Sequence, residues 1–349
     1  TGANLNLDSR IFDRHTLKYG VNYRTQKNHP ALTTQAAKES KTDYGVYLEG
    51  IWDFQPVTLT TGLRYDHFKV NTTGHTSASG GDINPSIGLI YDVTDNLSLK
   101  ASHNYATRSP RLYESMLAPS RNIVTDPNLK AERSRTTEIG FNYRPIQDLS
   151  LSGSYFWQKI NDVHDFTCLS GSCAGGRSTY TSGVTQSTNN GYIKNKGYEL
   201  NANYRWQGLT ARMGVAYSDP KHHYLFDSYD INTKAHAVGR TWTAGLAYRF
   251  DRPNLEIGWR GRFVQSRIGK PSRGATANEG TTEKRAGYGV NDIYANWKPT
   301  GKDDLNINFA VNNIGNKYYY SHSQRSSSRS GNSLPEVGRD FRLAVNYKF

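Results

Sequence analysis

The sequence predicts an all-β fold, a transmembrane antiparallel up-and-down β-barrel. Three observations carry the prediction. Apolar residues alternate with polar ones over segment after segment; connections between the segments alternate strictly between short and long; and aromatic residues stand just before the short turns. The 349 residues include 24 Tyr, 12 Phe and 6 Trp, yet mean hydropathy is −0.73. A membrane helix needs about 20 consecutive apolar residues, and no run of the sequence approaches that.

The alternation recurs along the chain. Val46, Leu48, Trp52 and Phe54 share one face of an extended segment, as do Leu149, Leu151, Tyr155 and Trp157, and then Leu200, Ala202, Tyr204 and Trp206. Trp242, Leu246, Tyr248 and Phe250 oppose Thr241, Thr243 and Arg249. Leu255, Ile257, Trp259 and Phe263 oppose Glu256, Arg260 and Arg262. At the C-terminus Phe341, Leu343, Val345, Tyr347 and Phe349 face away from Arg342, Ala344, Asn346 and Lys348. A period of two is the signature of a strand with one apolar and one polar face.

Short turns are predicted near 10–14, 54–56, 92–96, 145–148, 207–208, 251–253 and 299–303. Long polar connections are predicted at about 26–42, 69–82, 107–133, 161–190, 219–239, 266–286 and 316–337. Such alternation puts every short turn at one end of a meander and every long loop at the other, as in outer-membrane barrels. Seven hairpins and a final strand make about fifteen strands. An odd count leaves an open edge, which a barrel does not tolerate, so residues 1–349 are expected to be the C-terminal part of a larger barrel. Phe54, Tyr91, Tyr143, Trp206, Phe250 and Trp297 would form an aromatic girdle at one interface. Glu49, Arg64, Asp66, Glu199, Arg205, Arg249, Glu256, Arg260, Arg262 and Arg342 would face the lumen. A soluble sandwich accounts poorly for such long strands and such two-sided loops.

The formal charge of +13 calls for an anionic partner. No nucleic-acid motif is present, which leaves an anionic ligand or a lipid surface. Basic residues crowd the long connections, Arg108, Arg111, Arg121, Arg325 and Arg329 among them. Tyr319, within Tyr318-Tyr319-Tyr320, is placed to stack on a flat ligand, and an outer aromatic girdle explains the three tyrosines equally well. Cys168 and Cys173 sit in a Gly/Ser-rich stretch at a spacing that suits a small disulfide loop in an oxidising compartment. His222 and His223, with His236 beyond them, read as a solvated loop rather than a metal site, because adjacent histidines on an extended chain point apart. No nucleophile, phosphate-loop or H-E-x-x-H motif occurs.

Several stretches resemble the FetA/FrpB group of TonB-dependent receptors: Leu17 to Pro30, Arg135 to Arg144, Gly191 to Leu200, Gly239 to Gln265, Gly289 to Arg325 and Gly338 to Phe349. The resemblance implies a 22-stranded barrel in the outer membrane of a Gram-negative bacterium. An N-terminal plug, which is not in this chain, would carry the segment contacted by the TonB-ExbB-ExbD complex. It implies import of a ferric siderophore of the enterobactin-like catecholate class, no resident cofactor, no enzymatic activity, and contact with lipopolysaccharide and other outer-membrane lipid. It also marks Phe349 as a terminal aromatic that guides assembly. Thr107-Arg108-Ser109-Pro110 and Asp126-Pro127-Asn128-Leu129 are similar to two boxes of haem receptors that bracket a haem-ligating histidine. No His lies between Pro110 and Asp126 here, but Tyr113 could serve as an axial phenolate, so haem is the alternative ligand. A passive porin and an outer-membrane enzyme are the rival function classes. The first requires an even strand count in an open barrel, and the second is usually a small closed barrel.

Overall fold

The computed structural model describes residues 1–27, 39–72, 77–112, 122–171, 184–226, 238–269, 283–323 and 334–348. In chain order the strands are β1 (Gly2–Ile11), β2 (His15–Lys27), β3 (Glu39–Phe54), β4 (Val57–Thr72), β5 (Ala78–Thr94), β6 (Leu97–Arg108) and β7 (Asn122–Thr125). Then come β8 (Glu132–Ile146), β9 (Leu149–Asn161), β10 (His164–Ser170), β11 (Val184–Asn189), β12 (Tyr192–Trp206), β13 (Leu209–Ser218) and β14 (Lys221–His223). The last are β15 (Thr241–Phe250), β16 (Leu255–Val264), β17 (Arg267–Gly269), β18 (Glu283–Arg285), β19 (Tyr288–Trp297), β20 (Leu305–Asn312) and β21 (Asp340–Tyr347). Fifteen of them form one antiparallel path, β1-β2-β3-β4-β5-β6-β8-β9-β12-β13-β15-β16-β19-β20-β21, with β14 attached to β12. The expected all-β meander of about fifteen strands is what the chain forms.

Alternation becomes two faces once the register is fixed. Leu5 pairs with Val21, Val21 with Val46, Val46 with Tyr65 and Tyr65 with Ile83, so one apolar row crosses five strands. All five side chains are exposed, which in water would be a large penalty and in lipid is a gain. The aromatics before the short turns lie in a matching row. Tyr91 faces Val57 and Leu99, Tyr143 faces Leu97 and Leu151, and Trp297 faces Leu255 and Ile307. Phe54, Tyr91, Tyr143, Trp206, Phe250 and Trp297 are all exposed, as an interfacial girdle requires.

The opposite face is polar and hydrogen-bonded. Arg64 pairs with Asp66 at 2.7 Å and donates to Asn22 Oδ1 at 2.6 Å. Asn84 donates to Asp66 at 3.0 Å, and the Tyr47 hydroxyl donates to Asn6 at 2.9 Å.

Two expectations are corrected. The connection at 69–82 is mostly strand: β4 runs to Thr72, β5 begins at Ala78, and Val70 pairs with Ala78. Gly80 and Gly81 read as loop residues but serve packing. A Cβ on Gly80 would stand 3.0 Å from the Phe68 ring, and one on Gly81 would stand 2.3 Å from the Tyr65 hydroxyl. Four other long connections, 107–133, 161–190, 219–239 and 266–286, carry strands of their own. β10 pairs antiparallel with β11, and β11 pairs parallel with β7, joining two loops in a three-stranded sheet. β17 and β18 form a separate hairpin.

Candidate functional site

At the loop end of the polar face, the segment that follows β6 turns inward and is held by side chains far apart in sequence. Lys41 Nζ donates to Ser109 Oγ at 2.8 Å, and Ser109 donates to Asp43 at 2.8 Å. Pro110 is fully buried. The segment before β8 is anchored in the same way. Asp126 accepts from Asn128 N and from Thr188 Oγ1, at 2.8 and 2.6 Å, and Leu129 and Ala131 pack into an apolar cluster with Phe68, Val70 and Ala78. The two box-like motifs are therefore fasteners on either side of 113–121, each with one buried residue, Pro110 in the first and Leu129 in the second.

Beside these fasteners lies a polar centre of which the sequence marks Arg108 but neither Glu132 nor His164. Arg108 Nε pairs with Glu132 at 2.7 Å, and its guanidinium reaches His164 Nδ1 at 3.4 Å. His164 Nε2 donates to the Lys130 carbonyl at 2.6 Å, and Glu132 accepts from the His164 backbone N–H at 2.8 Å. Glu132 stands above the apolar band: in β8 the outward residues run Tyr143, Phe141, Ile139 and then Thr137, Arg135 and Arg133. Burial pushes its carboxyl up, but the Arg108 hydrogen bond, with the charges and the backbone N–H beside it, overcomes this and holds the pKa below the ordinary glutamate value. Asn190, fully buried, donates to Asp165 at 2.8 Å and to the Phe226 carbonyl at 3.0 Å, while accepting from Leu225 N at 2.8 Å. One amide thus latches the connections after β9 and β14. The only sequence signal for it was the turn-forming Asn189-Asn190-Gly191. Gly191 has φ of +69°, and a Cβ there would lie 1.9 Å from the His223 carbonyl, so the close approach of β14 demands glycine.

A second group sits where β16, β19 and the connection after β20 meet. Arg262 lies 5.6 Å from the Tyr288 ring centroid and donates to the Tyr319 hydroxyl at 3.5 Å, and the Tyr288 and Tyr319 rings are 4.5 Å apart. Burial raises the Tyr319 phenol, against the pull of the Arg262 charge. His322, 2% exposed, accepts from Gly239 N at 3.0 Å and donates to the Ala286 carbonyl at 2.9 Å, tying three connections together.

The sequence-derived residues fall into this frame unevenly. Arg108 is committed to Glu132, and Arg111 is exposed beside the buried Pro110. Tyr319 joins Arg262, whereas Tyr318 and Tyr320 are exposed and bond to each other at 2.8 Å, so the triple tyrosine divides between two surroundings. Tyr113, Arg121, Arg325, Arg329 and Phe349 lie outside the described residues. Cys168 is disulfide-bonded, while Cys173, the other cysteine of the chain, is outside the described residues. His222 is not in a solvated loop. It lies in β14, opposite Ile193, and bonds to the Asn190 carbonyl at 2.9 Å. His236 is outside the described residues, and among those described no three His, Cys, Asp or Glu side chains could share a metal ion.

A single meander with one lipid-suited face, one polar face and loops fastened inward at one end matches a known family. The model described as "TonB dependent receptor-like, beta-barrel" covers residues 1–314. The chain belongs to the TonB-dependent receptor β-barrel family. The FrpB iron transporter from Neisseria meningitidis (F5-1 variant) is 43% identical, with a TM-score of 0.88 over 100% of this chain and 55% of that one. A hemin receptor of Yersinia enterocolitica is 25% identical over 97% of this chain and 49% of its own length. TonB-dependent heme receptor A of Haemophilus influenzae is 23% identical over 87% and 44%. The chain spans about half the length of these relatives. Outer-membrane residence is the property of this barrel family.

Proposed function

We propose that this chain is the larger part of a 22-stranded outer-membrane barrel whose complete protein imports iron as a ferric complex. Capture takes place at the loop end, and a plug coupled to the TonB-ExbB-ExbD complex moves the cargo inward. The carrying observation is the Arg262-Tyr288-Tyr319 group, a cation among aromatic rings facing the polar side. Ferric catecholates combine flat aromatic rings with multiple negative charge, and stacking plus charge-assisted hydrogen bonding suits both properties. The 43% identity to a protein named as an iron transporter supports iron as the cargo. Arg111, Arg121, Arg325 and Arg329 would add positive charge around the mouth.

Haem is the second reading. It is favoured by the names of the relatives and by the two anchored motifs that bracket Tyr113 in the sequence.

Equilibrium titrations of the full-length protein with a ferric catecholate, a neutral ferric hydroxamate and haem, at two salt concentrations, separate the readings. Charge-assisted contacts are worth about 1.5 to 3 kcal/mol each. The Arg262→Ala/Tyr319→Phe and Arg325→Ala/Arg329→Ala proteins should therefore bind the catecholate at least ~10-fold more weakly, with a shallower salt dependence, and should bind hydroxamate as before. If haem is the cargo, Tyr113→Phe dominates and shifts the haem absorption spectrum. Unchanged catecholate affinity in both double variants would remove the basis for the first reading.

A further inference from the structure

The outward face carries a feature that ligand capture does not use. Above the apolar band, Tyr105 pairs with Arg135, Arg135 with Lys159, Lys159 with Lys194 and Lys194 with Lys221. Four cations therefore stand directly opposite one another on consecutive strands β8, β9, β12 and β14. Lys196, two residues from Lys194 on the same face, pairs with Trp157, and Arg133 lies 4.6 Å from the Tyr105 ring centroid. Like charges directly opposite each other across strands are destabilising. The fold supplies little to offset this. Lys221 pairs with Asp219 at 3.2 Å, but among the described residues Arg135, Lys159, Lys194 and Lys196 have no carboxylate partner. Lys159 and Lys194 share only the face of Tyr192, at 4.5 and 5.6 Å from its centroid.

The rows beneath bear on the kind of anion that would offset this repulsion. One row below is exposed Trp157, and the next is Ile139 paired with Tyr155 and Tyr155 with Tyr198. Ile139, Tyr155 and Trp157 are exposed. Cations above, Trp157 beside Lys196 and then Tyr155 beside Tyr198 beneath them, and apolar Ile139 at the level of the tyrosines match an amphiphile standing beside the barrel, with phosphate at the height of the lysines and acyl chains along Ile139. We propose that this strip, centred on Arg135, Lys159 and Lys194, is a binding site for a phosphorylated, multiply acylated glycolipid of the outer leaflet. Strands lie about 4.8 Å apart, so the row spreads its charge over ~14 Å, wide enough to engage a headgroup with more than one phosphate.

The test uses full-length receptor in detergent and measures retention of diphosphoryl lipid A by native mass spectrometry. The parent protein is expected to retain it. The Arg135→Gln/Lys159→Gln/Lys194→Gln protein should retain it at least ~10-fold less, and lipid A stripped of its phosphates should bind neither protein well. Melting gives a second readout that survives poor expression of the triple variant. Lys194→Gln alone should melt higher than the parent at low salt in detergent, because a repulsion is removed, and added lipid A should abolish that difference. Equal retention by parent and triple variant would overturn the proposal, as would equal binding of phosphatidylglycerol. Capture of a protein partner by this strip in place of lipid A would overturn it as well.

Discussion

Asn190 illustrates how one buried side chain can hold a loop system. Its amide donates twice and its carbonyl oxygen accepts from Leu225 N, so every polar atom of the group is used. Asn190→Ala removes these bonds together, and a lost buried partner costs about 1 to 3 kcal/mol. Hydrogen exchange at the Leu225 and Phe226 amides should accelerate roughly 10-fold or more while the barrel melts unchanged. A lower melting temperature of the whole barrel would refute this local role. Glu132 brings a pH dependence. Its pKa is depressed in the folded protein by Arg108 and its neighbours, so it contributes stability that is present above the ordinary glutamate range near 4.3. That contribution is lost as pH falls through the lower folded value. Protection of the segment around His164 should therefore weaken in the parent as pH falls below the ordinary glutamate range, and Glu132→Gln should remove that step.

Strands show why the same residue type has opposite costs on the two faces. Leu48 pairs with Tyr19 and Leu63 in the exposed apolar band, whereas its neighbour Glu49 pairs with Lys18 and Gly62 on the polar side. An Arg placed at the lipid midplane costs roughly 2 to 4 kcal/mol. Leu48→Arg should lower unfolding stability in lipid vesicles by that amount, and Glu49→Arg should change it by less than about 1 kcal/mol. Equal effects at the two positions would contradict the assignment of faces. The strand pattern was legible because alternation is a local property: Leu48 and Glu49 announce their faces whatever lies beside them. The β7, β10 and β11 strands were not legible. They are 4, 7 and 6 residues long, and Thr185, Gln186 and Ser187 show no alternation, so only pairing with a distant loop makes them strands.

Across the whole molecule, positive charge is distributed by height and by face. On the polar side it includes Arg64 beside Asp66, Arg108 beside Glu132 and Arg262 among tyrosines. On the outward side it sits in the strip from Arg135 to Lys221. The +13 charge is therefore divided between two faces, which composition alone could not separate; the proposed anionic cargo would meet one and the proposed glycolipid the other. The described sheet has two edge strands, β1 and β21. Unpaired edges are a liability, and the proposed 22-stranded barrel supplies partners for both.

The sequence by itself determined the fold class, the approximate number of strands in the main meander, the ends at which turns and loops lie, and the two faces of each of those strands. All of these follow from periodicity and turn chemistry within some ten residues. Tertiary structure alone decided that Arg108 is paired with Glu132, that Tyr319 parts from Tyr318 and Tyr320 to meet Arg262, and that Arg135, Lys159 and Lys194 form one row. Each of these depends on register between strands or on the folding-back of a loop. A hydrogen bond spanning 24 residues, as between Arg108 and Glu132, leaves no periodic trace in the residues that separate its ends.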